Sequence, residues 1–181
     1  HGGVTRGNAH PHLSYDGRFA IVHNGIIENY LQLKKELINS GVKESSFVSQ
    51  TDSEVYAHYL SLDVIKSGDI KKSLLSTFNN LKGLSAILVL DKETNKIYVM
   101  KNGSPLVIGY SEDGIYFASD AVALLPHVKE VYYLEDHEMY FEGEIYDTVT
   151  GKVKKIKKEK LKLEAEQISK EGFDHFLLGN L

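Results

Sequence analysis

The spacing of apolar residues changes at Leu84, and that change limits the folds open to this chain. Ahead of it, Ile27, Tyr30, Leu31, Leu33 and Leu37 recur at helical intervals, with Gly41 placed to stop the helix. Val55, Tyr59 and Leu60 mark a second helix ending near Ser67-Gly68, and Leu74, Leu75, Phe78 and Leu81 a third that starts near Ile70. Thr51 followed by Glu54 fits a capping box at the start of the second helix. From Leu84 onward the segments are short and strand-like: 84–90, 96–100, 106–110, 114–118, 131–134, 138–141 and 144–146, joined by polar turns. A short helix over 120–125 interrupts them. Early helices and late strands with hairpin connections predict an α+β fold with a largely antiparallel sheet.

Ahead of the first helix, residues 18–23 read as a strand running into His23-Asn24-Gly25. Asn-Gly tolerates positive φ, so a sharp turn is expected there. Such a turn can be a plain hairpin corner. It can also offer a side-chain amide and a backbone N–H together, the two donors that an oxyanion hole needs in acyl transfer. Asp52 falls in the first turn of its helix, where a carboxylate meets the helix dipole favourably. His10-Pro11-His12 has the look of a metal pair, but no third and fourth ligands stand at zinc spacing, so no metal is expected. Packing accounts for His23, and Ser119-Asp120 reads as a helix cap.

Composition narrows the chemistry further. The 181 residues carry 21 basic and 25 acidic side chains, a net charge of −4, which argues against nucleic acid or an anionic membrane as partner. Seven lysines between 152 and 162 read as the solvated face of an edge strand. There is no signal-peptide pattern and no apolar run of membrane-spanning length, so a cytoplasmic protein is expected. No cysteine is present, which removes disulfides, thiolate metal sites and a cysteine nucleophile from within these residues.

Taken together, residues 8–12, 21–29, 49–55, 103–109 and 117–120 resemble one family in order along nearly the whole chain. They look like the glutaminase domain of the glucosamine-6-phosphate synthases, which are isomerising glutamine:fructose-6-phosphate amidotransferases. Residues 170–178 resemble the piece that joins this domain to the sugar-isomerase half of those enzymes. The resemblance implies an N-terminal-nucleophile amidotransferase with a four-layer αββα sandwich. It also implies a nucleophilic cysteine and opening strands upstream of His1-Gly2, which match the end of the family's Thr-Arg-Trp-Ala-Thr-His-Gly motif. Residues 1–168 are then a partial glutamine amidotransferase domain, and 169–181 the start of the link.

By the same resemblance, the Asn24 amide and the Gly25 N–H form the oxyanion hole, and Asp52 pairs with the α-ammonium of glutamine. His1 lies beside the α-carboxylate, and His10 lines the substrate site. Ammonia passes to the isomerase half of the same polypeptide, where fructose 6-phosphate is aminated. No cofactor is implied, and the parent is a homo-oligomer. Without a thiol the 181 residues alone are expected to be inactive. Two other readings stand beside this one: the glutaminase half of another amidotransferase, and a cysteine-free module that binds glutamine or a protein partner.

Overall fold

The computed structural model describes residues 3–161, and these fall into two compact units. The larger comprises residues 3–105 and 134–156, the smaller 106–133 and 157–161. His1 and the segment 169–181 lie outside the described residues.

The larger unit opens with β1 (His12–Leu13) and β2 (Phe19–Gly25), followed by α1 (Tyr30–Asn39), α2 (Asp52–Ser67) and α3 (Ile70–Asn79). It continues with β3 (Ser85–Asp91) and β4 (Lys96–Asn102). In the smaller unit β5 (Val107–Tyr110), β6 (Ile115–Ala118) and β7 (Glu130–Tyr133) follow. The chain then returns to the larger unit through β8 (Glu138–Phe141), β9 (Glu144–Asp147) and β10 (Val153–Lys154), and β11 (Glu159–Lys160) belongs to the smaller one. The larger unit holds a seven-stranded sheet in the order β1-β2-β3-β4-β8-β9-β10, and the smaller a four-stranded sheet in the order β11-β7-β5-β6. Every described pairing is antiparallel. The α+β class with antiparallel sheets is therefore borne out. No described helix is long and apolar enough to cross a membrane.

In the larger unit the core is the face of the sheet that meets the helices. Period-two alternation turns Phe19 and Ile21 of β2, Ile87 and Val89 of β3, and Tyr98 and Met100 of β4 inward, against Leu33, Leu37, Tyr56, Leu60 and Leu74 of the helices. Ten of the sixteen residues of α2 are buried, more than one apolar stripe requires, because α1, α3 and β2 all pack on it. Gly68 ends α2 in the left-handed region at φ 67°. In the smaller unit Val107, Val131, Leu124 and Val128 form a separate cluster.

Three local expectations are corrected. Asn24-Gly25 is not a hairpin corner, because both residues continue the β2 ladder, opposite Ala86 and Ser85. The capping box is half made: Thr51 Oγ1 accepts from the Glu54 N–H at 3.4 Å, but the Glu54 carboxylate turns to the Val48 and Ser49 N–H groups, both at 2.9 Å. Finally, the helix over 120–125 is a 3-10 turn over Ala121–Leu124, capped by Asp120 accepting from the Val122 N–H at 2.9 Å. The lysine run does supply sheet edges, as two short strands, β10 and β11, instead of one.

Candidate active site

His23 occupies a position that the β2 pleat reserves for core residues, two places after Ile21 on the same face. An imidazole held there needs polar company. Its Nδ1 lies 3.0 Å from Ser53 Oγ and its Nε2 3.3 Å from Ser85 Oγ. A hydroxyl can donate or accept, so a neutral ring is satisfied in either tautomer. Ser53 Oγ also lies 3.3 Å from His10 Nε2, which ties the loop before β1 to the first turn of α2. His12 reaches the same turn through Thr51 Oγ1, 3.1 Å from its Nε2. Through these two contacts His10 and His12 order the loop against the helix terminus.

Asp52 opens α2 with its side chain only 6% exposed. Its Oδ2 accepts the Ile27 N–H at 2.7 Å, which fixes the chain two residues beyond Gly25 to the helix terminus. Among the described residues, its Oδ1 has no hydrogen-bond partner. The nearest cationic candidate is His23 Nδ1 at 3.9 Å, beyond hydrogen-bonding range. Burial pushes the His23 imidazole below its ordinary range, with Asp52 opposing that shift and His10 and His12 adding to it. Burial likewise lowers His10 and His12, in both cases against the pull of Asp52.

Asn24 follows on the outward face, exposed, and its side-chain amide has no hydrogen-bond partner among the described residues. The Ile26 N–H donates to the Leu84 carbonyl at 2.8 Å. Ladder alternation then makes Gly25 and Ser85 a non-hydrogen-bonded pair, so the Gly25 N–H faces away from β3, on the side where β1 has already ended. Two amide donors thus stand at one open corner. A Cβ on Gly25 would lie 1.9 Å from the Leu84 carbonyl oxygen, and φ is 127°, so only glycine fits.

A cavity of about 280 Å³ adjoins this cluster, lined by Val4, Asn8, His10, His23, Thr51 and Ser53 among others. A second, of about 300 Å³, lies at the C-terminal end of α3 with Ser85 in its wall. His23 of the first lining and Ser85 of the second are the pair in contact at 3.3 Å. No group of three or more His, Asp or Glu side chains able to hold a metal occurs among the described residues. Of the residues singled out from the sequence, Asp52 and His10 meet around His23 and Ser53, while Asn24 and Gly25 sit at the adjoining strand end. Ser53 and Ser85 were missed. The available signal was Ser85 itself, a hydroxyl in phase with Ile87 and Val89 on the buried face of β3, where a polar group requires a partner.

The glutamine amidotransferase domain model matches residues 4–126. A glutamine–fructose-6-phosphate aminotransferase (isomerizing) of Aquifex aeolicus is 41% identical over 188 residues, covering 98% of this chain and 30% of that protein. The enzyme of the same name from Helicobacter pylori is 42% identical over 140 residues, 77% of this chain and 23% of that protein. The chain spans about 30% of the length of its first curated relatives. Among solved structures, the glutamine phosphoribosylpyrophosphate amidotransferase of B. subtilis, complexed with ADP and GMP, superposes with a TM-score of 0.60 at 26% identity. It covers 90% of this chain and 34% of that one.

Proposed function

From a chain that belongs to the glutamine amidotransferase domain family, we propose the glutamine-hydrolysing part of a glucosamine-6-phosphate synthase, which releases ammonia for the amination of fructose 6-phosphate. Identities of 35–41% over 98% of the chain to the fructose-6-phosphate aminotransferases, against 26% to the phosphoribosylpyrophosphate enzyme, support this member over the other. Residues 1–168 act as the glutaminase domain and 169–181 begin the link to the isomerase. The setting is cytoplasmic, and the parent is a homo-oligomer.

The observation that carries the reading is the Asp52 carboxylate. Buried, with one oxygen anchored on the Ile27 N–H and the other unpartnered among the described residues, it is an incomplete ion pair, and an α-ammonium completes it. A thiolate attacks the side-chain amide carbon of glutamine, and the negative charge that develops on the carbonyl oxygen is met by the Asn24 amide and the Gly25 N–H. Ammonia leaves as the C–N bond breaks, a terminal amine shuttling the proton, and water then cleaves the thioester to glutamate. His10 lines the substrate site, and His1 lies beside the α-carboxylate. No cysteine occurs in the 181 residues, so the thiol comes from outside them.

The test is direct. The 181 residues with glutamine should release no ammonia above background, and fusion to a relative's N-terminal segment carrying the cysteine should restore release. In that fusion Asp52→Asn, which keeps an acceptor for the Ile27 N–H, should raise KM for glutamine at least tenfold while changing stability by less than about 1 kcal/mol. Ammonia release from the 181 residues alone, or an unchanged KM in the Asp52→Asn fusion, would refute the assignment.

A further inference from the structure

His23 and the unpartnered oxygen of Asp52 face one another without bonding. In the neutral ring, hydroxyls serve both nitrogens, Ser53 at Nδ1 and Ser85 at Nε2, so the imidazole makes no demand on the carboxylate. Asp52 Oδ1, 3.9 Å from Nδ1, is left over. A buried carboxylate with one oxygen unpaired draws in whatever cation reaches it first. Two cations can do so: the ammonium of a bound amino acid, and a proton on His23, whose ring lines the adjoining cavity. We propose that His23 is a positioning residue that sets a competition at Asp52, in which its own protonated ring takes the oxygen that otherwise receives the substrate's α-ammonium.

A displacement of about 1 Å brings Nδ1–H into hydrogen-bonding range of Oδ1. The ring loses only the Ser53 contact at that nitrogen and keeps Ser85 at the other. The charged and titratable groups around His23 are Asp52 from α2, His10 from the preceding loop and His12 from β1. Asp52 draws a proton to the ring, while His10, His12 and burial repel it, so the ring stays neutral near pH 7 and charges on acidification. One proton on one ring thereby closes the ammonium seat, and one bound ammonium expels that proton.

This inference rests on Asp52 as the ammonium partner, and the measurements separate the two. Isothermal titration of the 181-residue chain with L-glutamine between pH 8 and pH 5, in two buffers of different ionisation enthalpy, should show affinity falling in acid. The slope should approach tenfold per pH unit, with up to one proton released per glutamine bound. In His23→Asn, whose amide takes the place of Nδ1 beside Ser53 and cannot titrate, affinity should stay flat over that range. A flat wild-type profile, or the same acid limb in His23→Asn, overturns the proposal.

Should glutamine bind at no pH, the glutamine reading falls, and ligand-free imidazole nitrogen NMR decides this one. Asp52→Asn should then lower the titration point of His23 by roughly half a pH unit or more. An unchanged titration in that variant overturns the pairing of His23 with Asp52 on which the competition depends, and a shift of that size upholds that pairing.

Discussion

A β-carbon on Gly25 would stand 1.9 Å from the Leu84 carbonyl oxygen, 2.8 Å from its carbon and 3.0 Å from the Ser85 Cα, all backbone atoms with nowhere to retreat. Gly25→Ala should therefore cost more than about 2 kcal/mol in urea unfolding, through steric conflict and positive φ together. A cost below about 0.5 kcal/mol would show that β2 and β3 can part at this point. The requirement for glycine was legible from the Asn24-Gly25 pair, but the reason was not. Turn chemistry suggested a reversal of the chain, whereas the residue is needed because two strands close on it. Asp52 shows the opposite case. Its position in the first turn of α2 was readable, and its buried, half-paired carboxylate was not, because the Ile27 N–H comes from 25 residues away in sequence.

Helix α2 organises the site at the next scale, and its N-terminal turn is held by more than a cap. The Glu54 carboxylate accepts the Val48 N–H, the Ser49 N–H and, at 2.8 Å, the Ser49 hydroxyl, folding residues 48–49 onto the helix. Glu54→Ala should cost about 2 kcal/mol in chemical unfolding, and Glu54→Gln about half as much because it keeps one acceptor oxygen. Thr51→Ala, which removes the cap and the hydroxyl that meets His12, should cost about 1 kcal/mol. Equal costs for the two Glu54 variants would show that packing, not acceptance, is what this side chain contributes. Helices α1 to α3 and strands β3 to β9 were legible because their periods are strong and their turns polar. What a 3.6-residue pattern cannot state is which side chains of neighbouring elements meet, and the site is made of such meetings.

Across the whole molecule, acid should loosen the fold in two stages. Burial is the largest influence on His10, His12, His23 and His58, and all four lie below their ordinary value of 6.5. An unfolded chain binds their protons first, so stability from these groups is present above pH 6.5 and is lost as pH falls through the folded values. In Asp16 and Asp91, burial alone would raise the pKa, but hydrogen bonds outweigh it, from Ser14 and Ser61 in one and from Arg18 in the other. Their stabilisation persists above the usual 3.8 and disappears below it. Thermal unfolding should show Tm falling between pH 7 and pH 5 and falling again toward pH 3, with proton uptake on unfolding at pH 6. A Tm constant from pH 7 to pH 5 would contradict the neutral state of these histidines in the fold.

The amino-acid order alone determined the class of the fold, most element positions, the family and the residue types of the Asn24-Gly25 corner, since each follows from local period, turn chemistry or a run of side chains. Tertiary structure alone decided that β2 continues through Gly25, that its N–H is turned off the ladder, that Ser53 and Ser85 flank His23, and that Asp52 keeps one oxygen unpaired among the described residues. Those facts depend on strand register and on contacts between residues tens of positions apart, and no local pattern carries that information.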